Sequence, residues 1–128
     1  MSDKPAVGSF CWNELMTHNT QAAKHFYAEL LGWESQDMPM GEDMTYTIFK
    51  NGVHEVAGLL QTPKGEEGLI PPHWLSYIYV ENIETATEKA QSLGASLKTD
   101  IQTVEGMGRF VVLMDPTGAH VALWQPLS

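Results

Sequence analysis

The chain repeats one design. "NTQAAKHFYAELLG", starting at Asn19, and "ENIETATEKAQSLG", starting at Glu81, are built to the same plan. In the first, Asn19 or Thr20 is placed to cap a helix by accepting a backbone N–H. Ala22, Ala23, Phe26, Tyr27 and Leu30 recur at helical spacing and form an apolar stripe. Gly32 ends the run, because glycine takes the left-handed conformation cheaply. In the second, Asn82 is the cap, Ile83, Ala86, Ala90 and Leu93 are the stripe, and Gly94 is the stop. A repeat of this size confines the fold to architectures that use one supersecondary unit twice.

The flanks extend the repeat. "SFCWNELMT" precedes the first helix and "HWLSYIYV" the second, and both read as strands. After each helix come two more strands joined by a turn. In the first half these are "MTYTIF", the turn "KNG" and "VHEVAGLLQ"; in the second, "RFVVLM", the turn "DPTG" and "AHVALWQ". Asn-Gly and Asp-Pro-x-Gly turn the chain because glycine tolerates positive φ and proline presets φ. A weaker inner strand is expected near residues 33–38 and again near 96–100, so each half reads β-α-β-β-β. The expected organisation is a single domain over residues 1–128. Module one covers about 8–61, the Gly- and Pro-rich linker "TPKGEEGLIPP" about 62–72, and module two about 73–126. A connection of that length is often a functional loop or a tether.

Composition excludes several functions. Sixteen Asp and Glu stand against seven Lys and Arg, a formal net charge of −9. Nucleic acid binding draws much of its affinity from cations on phosphates, and no basic patch exists here, so nucleic acid and anionic membranes are not expected partners. No stretch approaches the roughly 18 apolar residues of a membrane span, and "MSDKPAVGSF" has no signal-peptide core. The single cysteine, Cys11, has no partner for an internal disulfide. A cytoplasmic location is the expectation.

"NTQAAKHFYAELLGWE" and "DPTGAHVALWQP", in order and within a doubled β-α-β-β-β frame, resemble the vicinal oxygen chelate superfamily: glyoxalase I, bleomycin-resistance proteins and extradiol dioxygenases. "PPHWLSYIYV" and "GMGRFVVLMDPTGA" resemble a glyoxalase-like subgroup. The resemblance implies an α+β fold in which two βαβββ modules form a half-open β-barrel cleft with helices outside. It also implies a homodimer. In metal-dependent members, side chains from the first and last strand of each module hold a divalent ion, usually His or Gln and Glu. The matching positions here are Trp12, Ala57, Leu75 and Ala122. None carries a side chain that ligates a divalent cation, which takes N, O or S donors. No metal and no cofactor is therefore expected.

Strand side chains alternate between faces. A cleft face holding Trp12 also holds Phe10, Glu14 and Met16; one holding Leu75 also holds His73, Tyr77 and Tyr79. The same parity groups His120, Ala122 and Trp124, and groups Glu55, Ala57 and Leu59. Cys11, Leu15, Trp74, Ile78, Val121 and Leu123 fall under the helices, with Asn13 and Ser76. The expected ligand-binding residues are Trp12, Glu14, His73, Tyr77, Tyr79, Arg109 and Trp124. Flat apolar faces with a few orienting polar groups are the usual makeup of a small-molecule pocket, although any one of these aromatics could equally be core.

Glu14 is the candidate catalytic residue. A carboxylate between Trp12 and Met16 is expected to be partly desolvated, which raises its pKa and suits a general base. It could equally bind a cationic ligand, pair with Arg109, or stand solvated at a cleft mouth. Arg109, in "EGMGRF", is either a lid residue for an anionic group or a solvated arginine beside a turn. His73, His120, Glu14 and Glu55 share parity and make a candidate displaced metal set, though without ligand spacing. Cys11 reads as an inert core thiol. The leading reading is a metal-independent binder of a small aromatic or apolar ligand. The alternatives are a lyase or isomerase of the glyoxalase kind with Glu14 as base, and a non-catalytic partner domain.

Overall fold

The computed structural model describes residues 6–39 and 45–127; residues 1–5, in the stretch read for a signal peptide, and Met44 of "MTYTIF" lie outside the described residues. In chain order the elements are β1 (Phe10–Thr17), α1 (Thr20–Leu31), β2 (Glu34–Pro39), β3 (Thr45–Asn51), β4 (His54–Gln61), β5 (His73–Tyr79), α2 (Ile83–Ser92), β6 (Ser96–Leu97), β7 (Gln102–Val104), β8 (Gly108–Met114) and β9 (His120–Pro126). They divide into two compact units, Trp12–Leu75 and the pair of segments Met1–Cys11 and Ser76–Ser128. Among the described residues no helix is long and apolar enough to cross a membrane.

In the unit Trp12–Leu75 the strands run in the order β2-β3-β4-β1, antiparallel except for the parallel pair β4 and β1. Asn19 caps α1, its side chain accepting from the Ala22 N–H, and Gly32 ends it at φ 76°. One face of the sheet carries the core: Leu15, Phe49, Ala57 and Leu59, packed against Ala23 and Tyr27 of α1 and against Trp33 and Val56. Tyr27 stacks on Trp33 with centroids 5.3 Å apart, and meets Phe49 and Trp74 edge-on at 5.7 Å. Each such pair contributes roughly 0.5–1.5 kcal/mol beyond its buried area. The expected apolar stripe is narrower in fact. Phe26 is 54% and Leu30 60% exposed, because α1 turns only its Ala23 and Tyr27 edge to the sheet.

β3 and β4 pair with one irregularity. Phe49 faces Ala57, but Lys50 faces Glu55, so Val56 is an extra residue on β4. Such a bulge shifts the in–out alternation of the strand by one. The expected linker folds on itself: Thr62 N–H bonds Thr17 O at 2.9 Å, and Glu66 O accepts from both Leu69 and Ile70.

In the second unit the order is β5-β9-β8, with β5 and β9 parallel and β6 and β7 both on the far side of β8. The segment before β1 joins the unit through Gly8 N–H to Tyr79 O and Tyr79 N–H to Ser9 O. Asn82 caps α2 by accepting from Thr85 N–H. Ile83, Val111 and Leu113 form the core under α2, with Ala90, Val121 and Leu123 around them. Leu93, expected in the stripe, is 67% exposed, and Thr87 is buried instead. The inner strand expected near 96–100 is shorter than expected, with a second strand, β7, following it. Val112 O accepts from both Lys98 and Thr99, and Thr99 Oγ1 accepts from Val112 N–H, so the ladder breaks there and resumes at Gln102.

Candidate functional site

The face of the Trp12–Leu75 sheet opposite the helix is set by register. Glu14 neighbours Gly58, and Met16 neighbours Leu60, across β1 and β4. Ile48 pairs Gly58 and Tyr46 pairs Leu60 across β3 and β4. Trp12, Glu14, Met16, Tyr46, Ile48, Gly58 and Leu60 therefore share one face by alternation. Ala57 and Leu59 do not join them. The sequence reading counted β4 one residue out of phase; Ala57 is 2% exposed in the core with Leu15, and Gly58 takes the position beside Glu14. Glu55, beyond the bulge, is exposed.

Gly58 has a steric reason. A Cβ built there would collide with Oη and Cζ of Tyr46 and come within 3.1 Å of Trp12 Nε1. The phenol of Tyr46 lies across the strand at that point. Trp12 Nε1–H donates to Tyr46 Oη at 2.8 Å. The Tyr46 hydroxyl also interacts with the Glu14 carboxylate. Burial first, and then the Glu14 charge, push the Tyr46 pKa well above the usual phenol range. The phenol thus keeps its proton beside the carboxylate. The indole and the phenol are joined by a hydrogen bond, and the carboxylate acts on the same hydroxyl.

Tyr46 is the residue that sequence reasoning missed. Its signal was present in two places. "MTYTIF" alternates, and an isolated glycine inside the strand "VHEVAGLLQ" marks close approach of another group.

In the second unit the expected face is observed. Tyr77 neighbours Ala122, and Tyr79 neighbours Trp124, while β8 adds Val112 opposite Ala122 and Phe110 opposite Trp124. Tyr77 and Phe110 meet edge-on at 6.1 Å. Trp124 lies close over Gly108, where a Cβ would come within 2.8 Å of its ring. Ala122 is 0% exposed beneath these rings.

Two other expected site residues have their polar atoms engaged elsewhere. Arg109 has the parity of Val111 and Leu113 and turns to α2, where its guanidinium holds both oxygens of Glu84 at 2.6 and 2.9 Å. That pairing raises the Arg109 pKa and lowers that of Glu84. Alternation from Val111 would have placed it there. His73 Nδ1 is 2.8 Å from Pro71 O. The exposed His120 belongs to β9. Among the described residues no three His, Cys, Asp or Glu side chains gather as a metal site needs.

The family-like metal positions do not fit a divalent ion. Trp12 offers only an N–H donor, already given to Tyr46. Gly58, Leu75 and Ala122 offer no side-chain donor atom.

A sequence profile of the Glyoxalase/Bleomycin resistance protein/Dioxygenase superfamily matches residues 10–123. A curated relative, "Putative glyoxylase CFP32" of Mycobacterium bovis, is 30% identical over 94% of this chain and 45% of its own length. "Anthracycline biosynthesis protein DnrV" of Streptomyces peucetius is 24% identical over 94% of this chain and 48% of its own. The chain thus spans about half the length of the curated relatives it matches. Among solved structures, methylmalonyl-CoA epimerase from Mycobacterium tuberculosis superposes with a TM-score of 0.68 at 13% identity, covering 100% of this chain and 94% of that one. That likeness speaks to fold alone.

Proposed function

We propose, for a chain that belongs to the glyoxalase/bleomycin resistance protein/dioxygenase superfamily and has its α+β fold of two βαβββ modules, that it binds a small, largely apolar organic molecule without a metal bound at the four family-like positions. The observation that carries this reading is the rebuilt position on β4. Where a ligating side chain would project, Gly58 admits the Tyr46 phenol, and the face beside it is aromatic and apolar apart from Glu14. Tyr77, Tyr79 and Trp124 give the second unit a comparable aromatic face. Flat apolar walls with a few fixed polar groups bind planar molecules by area and orient them by hydrogen bonds. The name of DnrV, which belongs to that protein alone, is consistent with a planar aromatic ligand. A homodimer in the cytoplasm completes the reading, as the family resemblance implies.

The test is a thermal-shift and calorimetric titration with planar aromatics. A ligand at 100 times its Kd should stabilise the protein by about 2.7 kcal/mol. No binding by any member of an aromatic panel would remove the reading.

A second reading keeps the same residues and adds chemistry. Glu14, beside Tyr46, would abstract a proton next to a carbonyl, as in a lyase or isomerase. It is favoured by a carboxylate set on an otherwise apolar face, within reach of the Tyr46 hydroxyl. Unchanged turnover of a carbonyl substrate by Glu14→Gln would remove it.

A further inference from the structure

Resting on the small-molecule reading, we propose that Trp12, Tyr46 and Glu14 act as one receptor for the positively charged part of that molecule, with Tyr46 as the positioning residue. The ligand class is then an organic monocation, such as a protonated amine, on a flat apolar body.

The argument starts from charge. Glu14 is half-buried on β1, and its face is otherwise made of Trp12, Met16, Ile48, Leu60 and the Tyr46 phenol. Covering a carboxylate with a neutral apolar molecule strips water from a charge and gives nothing back. A cation offsets that loss by direct attraction, whichever lone pairs of the carboxylate neighbouring groups already occupy.

Trp12 adds to the same selection. It lies two residues before Glu14 on one face, a step of roughly 6.6–6.8 Å along a strand. A cation beside the carboxylate therefore lies within reach of the indole face, where the ring quadrupole attracts positive charge within about 6 Å of the centroid. The net charge of −9 raises the local concentration of cations and lowers that of anions. A metal cation is a poor match, since it needs several donors and no such group gathers among the described residues.

Tyr46 makes these groups one unit. Its oxygen accepts the Trp12 N–H at 2.8 Å, which fixes the plane of the indole. Its hydroxyl also interacts with the Glu14 carboxylate, which links the carboxylate to the indole. Gly58 leaves the space in which the phenol can do both. The receptor is thus organised before a ligand arrives, and little side-chain entropy remains to be lost on binding.

The experiment uses three matched probes on the whole chain: 1-naphthylmethylamine, protonated at neutral pH; 1-naphthalenemethanol, neutral; and 1-naphthoate, anionic. Calorimetry gives Kd for each with wild type, Glu14→Gln and Tyr46→Phe, and the Trp12 Nε1–H resonance reports the hydrogen bond. The amine should bind about tenfold or more tighter than the alcohol, and the naphthoate weakest, with the preference shrinking in high salt. Glu14→Gln should erase the preference, by weakening the amine and relieving the alcohol of the cost of covering a charge. Tyr46→Phe should move the Trp12 resonance and cut the amine-to-alcohol ratio severalfold. Equal binding of amine and alcohol, or a ratio that survives Glu14→Gln, overturns the cation assignment while the small-molecule reading stands. A ratio unmoved by Tyr46→Phe overturns the positioning role. Failure of all three probes to bind counts against both readings together.

Discussion

Gly58→Ala tests the geometry on which the site depends. The backbone at Gly58 is ordinary strand, so alanine is conformationally acceptable, and replacing glycine there should by itself stabilise by about 0.4–1 kcal/mol through the unfolded chain. Two terms oppose this. The new methyl would overlap Oη and Cζ of Tyr46, and overpacking a filled site costs about 1–3 kcal/mol. Moving the phenol aside also breaks the bond from Trp12 Nε1, a net loss of about 1 kcal/mol. The sum is a destabilisation of about 2 kcal/mol, or roughly 1 M in the urea midpoint for a slope near 2 kcal/mol/M. The decisive comparison is the same substitution in a Tyr46→Val background. With the phenol gone and only Trp12 Nε1, 3.1 Å from the new methyl, left to give slightly, Gly58→Ala should be about neutral, giving a coupling of about 2 kcal/mol between the two positions, as expected of residues in contact. Equilibrium urea unfolding of the four proteins, read by Trp fluorescence and by circular dichroism, gives the cycle. If Gly58→Ala cost the same in both backgrounds, the ring would not be lying where Gly58 admits it, and the receptor argument would lose its footing.

Stability should fall on acidification, with a contribution from three carboxylates whose pKa values are lowered in the fold: Asp37, chiefly by the Thr47 hydroxyl and then by Lys24; Glu84, by Arg109; and Asp115, chiefly by the Thr117 hydroxyl and then by the Ala119 N–H. Each favours its charged form when folded, so its contribution is present above the ordinary carboxylate range and disappears as pH falls through the lowered values. Urea midpoints measured from roughly pH 6 to 2 should show this acid limb, shallower in Asp115→Asn, and an identical slope in that variant would remove Asp115 from the account. Cys11 should alkylate more slowly than a free thiol at the same pH, because burial raises its pKa and its Sγ–H donates to Tyr77 O at 3.5 Å. An iodoacetamide rate equal to that of a model thiol would contradict the placement.

Local signals in this sequence were read well because local physics fixes them. Asn19 and Asn82 cap the two helices as expected, and Gly32 takes the left-handed conformation that ends the first. The turn "DPTG" closes because Asp115 Oδ1 accepts from the N–H groups of Thr117 and Ala119 at 2.8 and 3.1 Å. Alternation worked in β5 and β9, where the ladder is unbroken over the stretch that matters. It failed in β4. The extra residue Val56 displaces the count, and what sets Gly58 beside Glu14 is a parallel pairing between strands far apart in the chain, which no local pattern encodes. For Arg109 the structure adds a partner that the strand pattern did not name. Its partner Glu84 lies in the first turn of α2, and strand parity alone would have turned it that way.

The same contrast explains how the chain can keep a family's fold without its donors. The pairing of Glu14 with Gly58, and of Tyr77 with Ala122, is made by backbone N–H and C=O groups. These ladders do not depend on which side chain stands there, so Gly58 and Ala122 can lack a ligating group while both sheets remain intact. What the vacated volume receives is decided separately, by the side chains of neighbouring strands. In the second unit Tyr77 and Phe110 meet beside Ala122 on an aromatic face. In the first, Tyr46 enters over Gly58 and brings a hydroxyl that accepts from an indole and interacts with a carboxylate. One fold thus supports two differently finished faces, and the difference lies in side chains, not in the shared architecture.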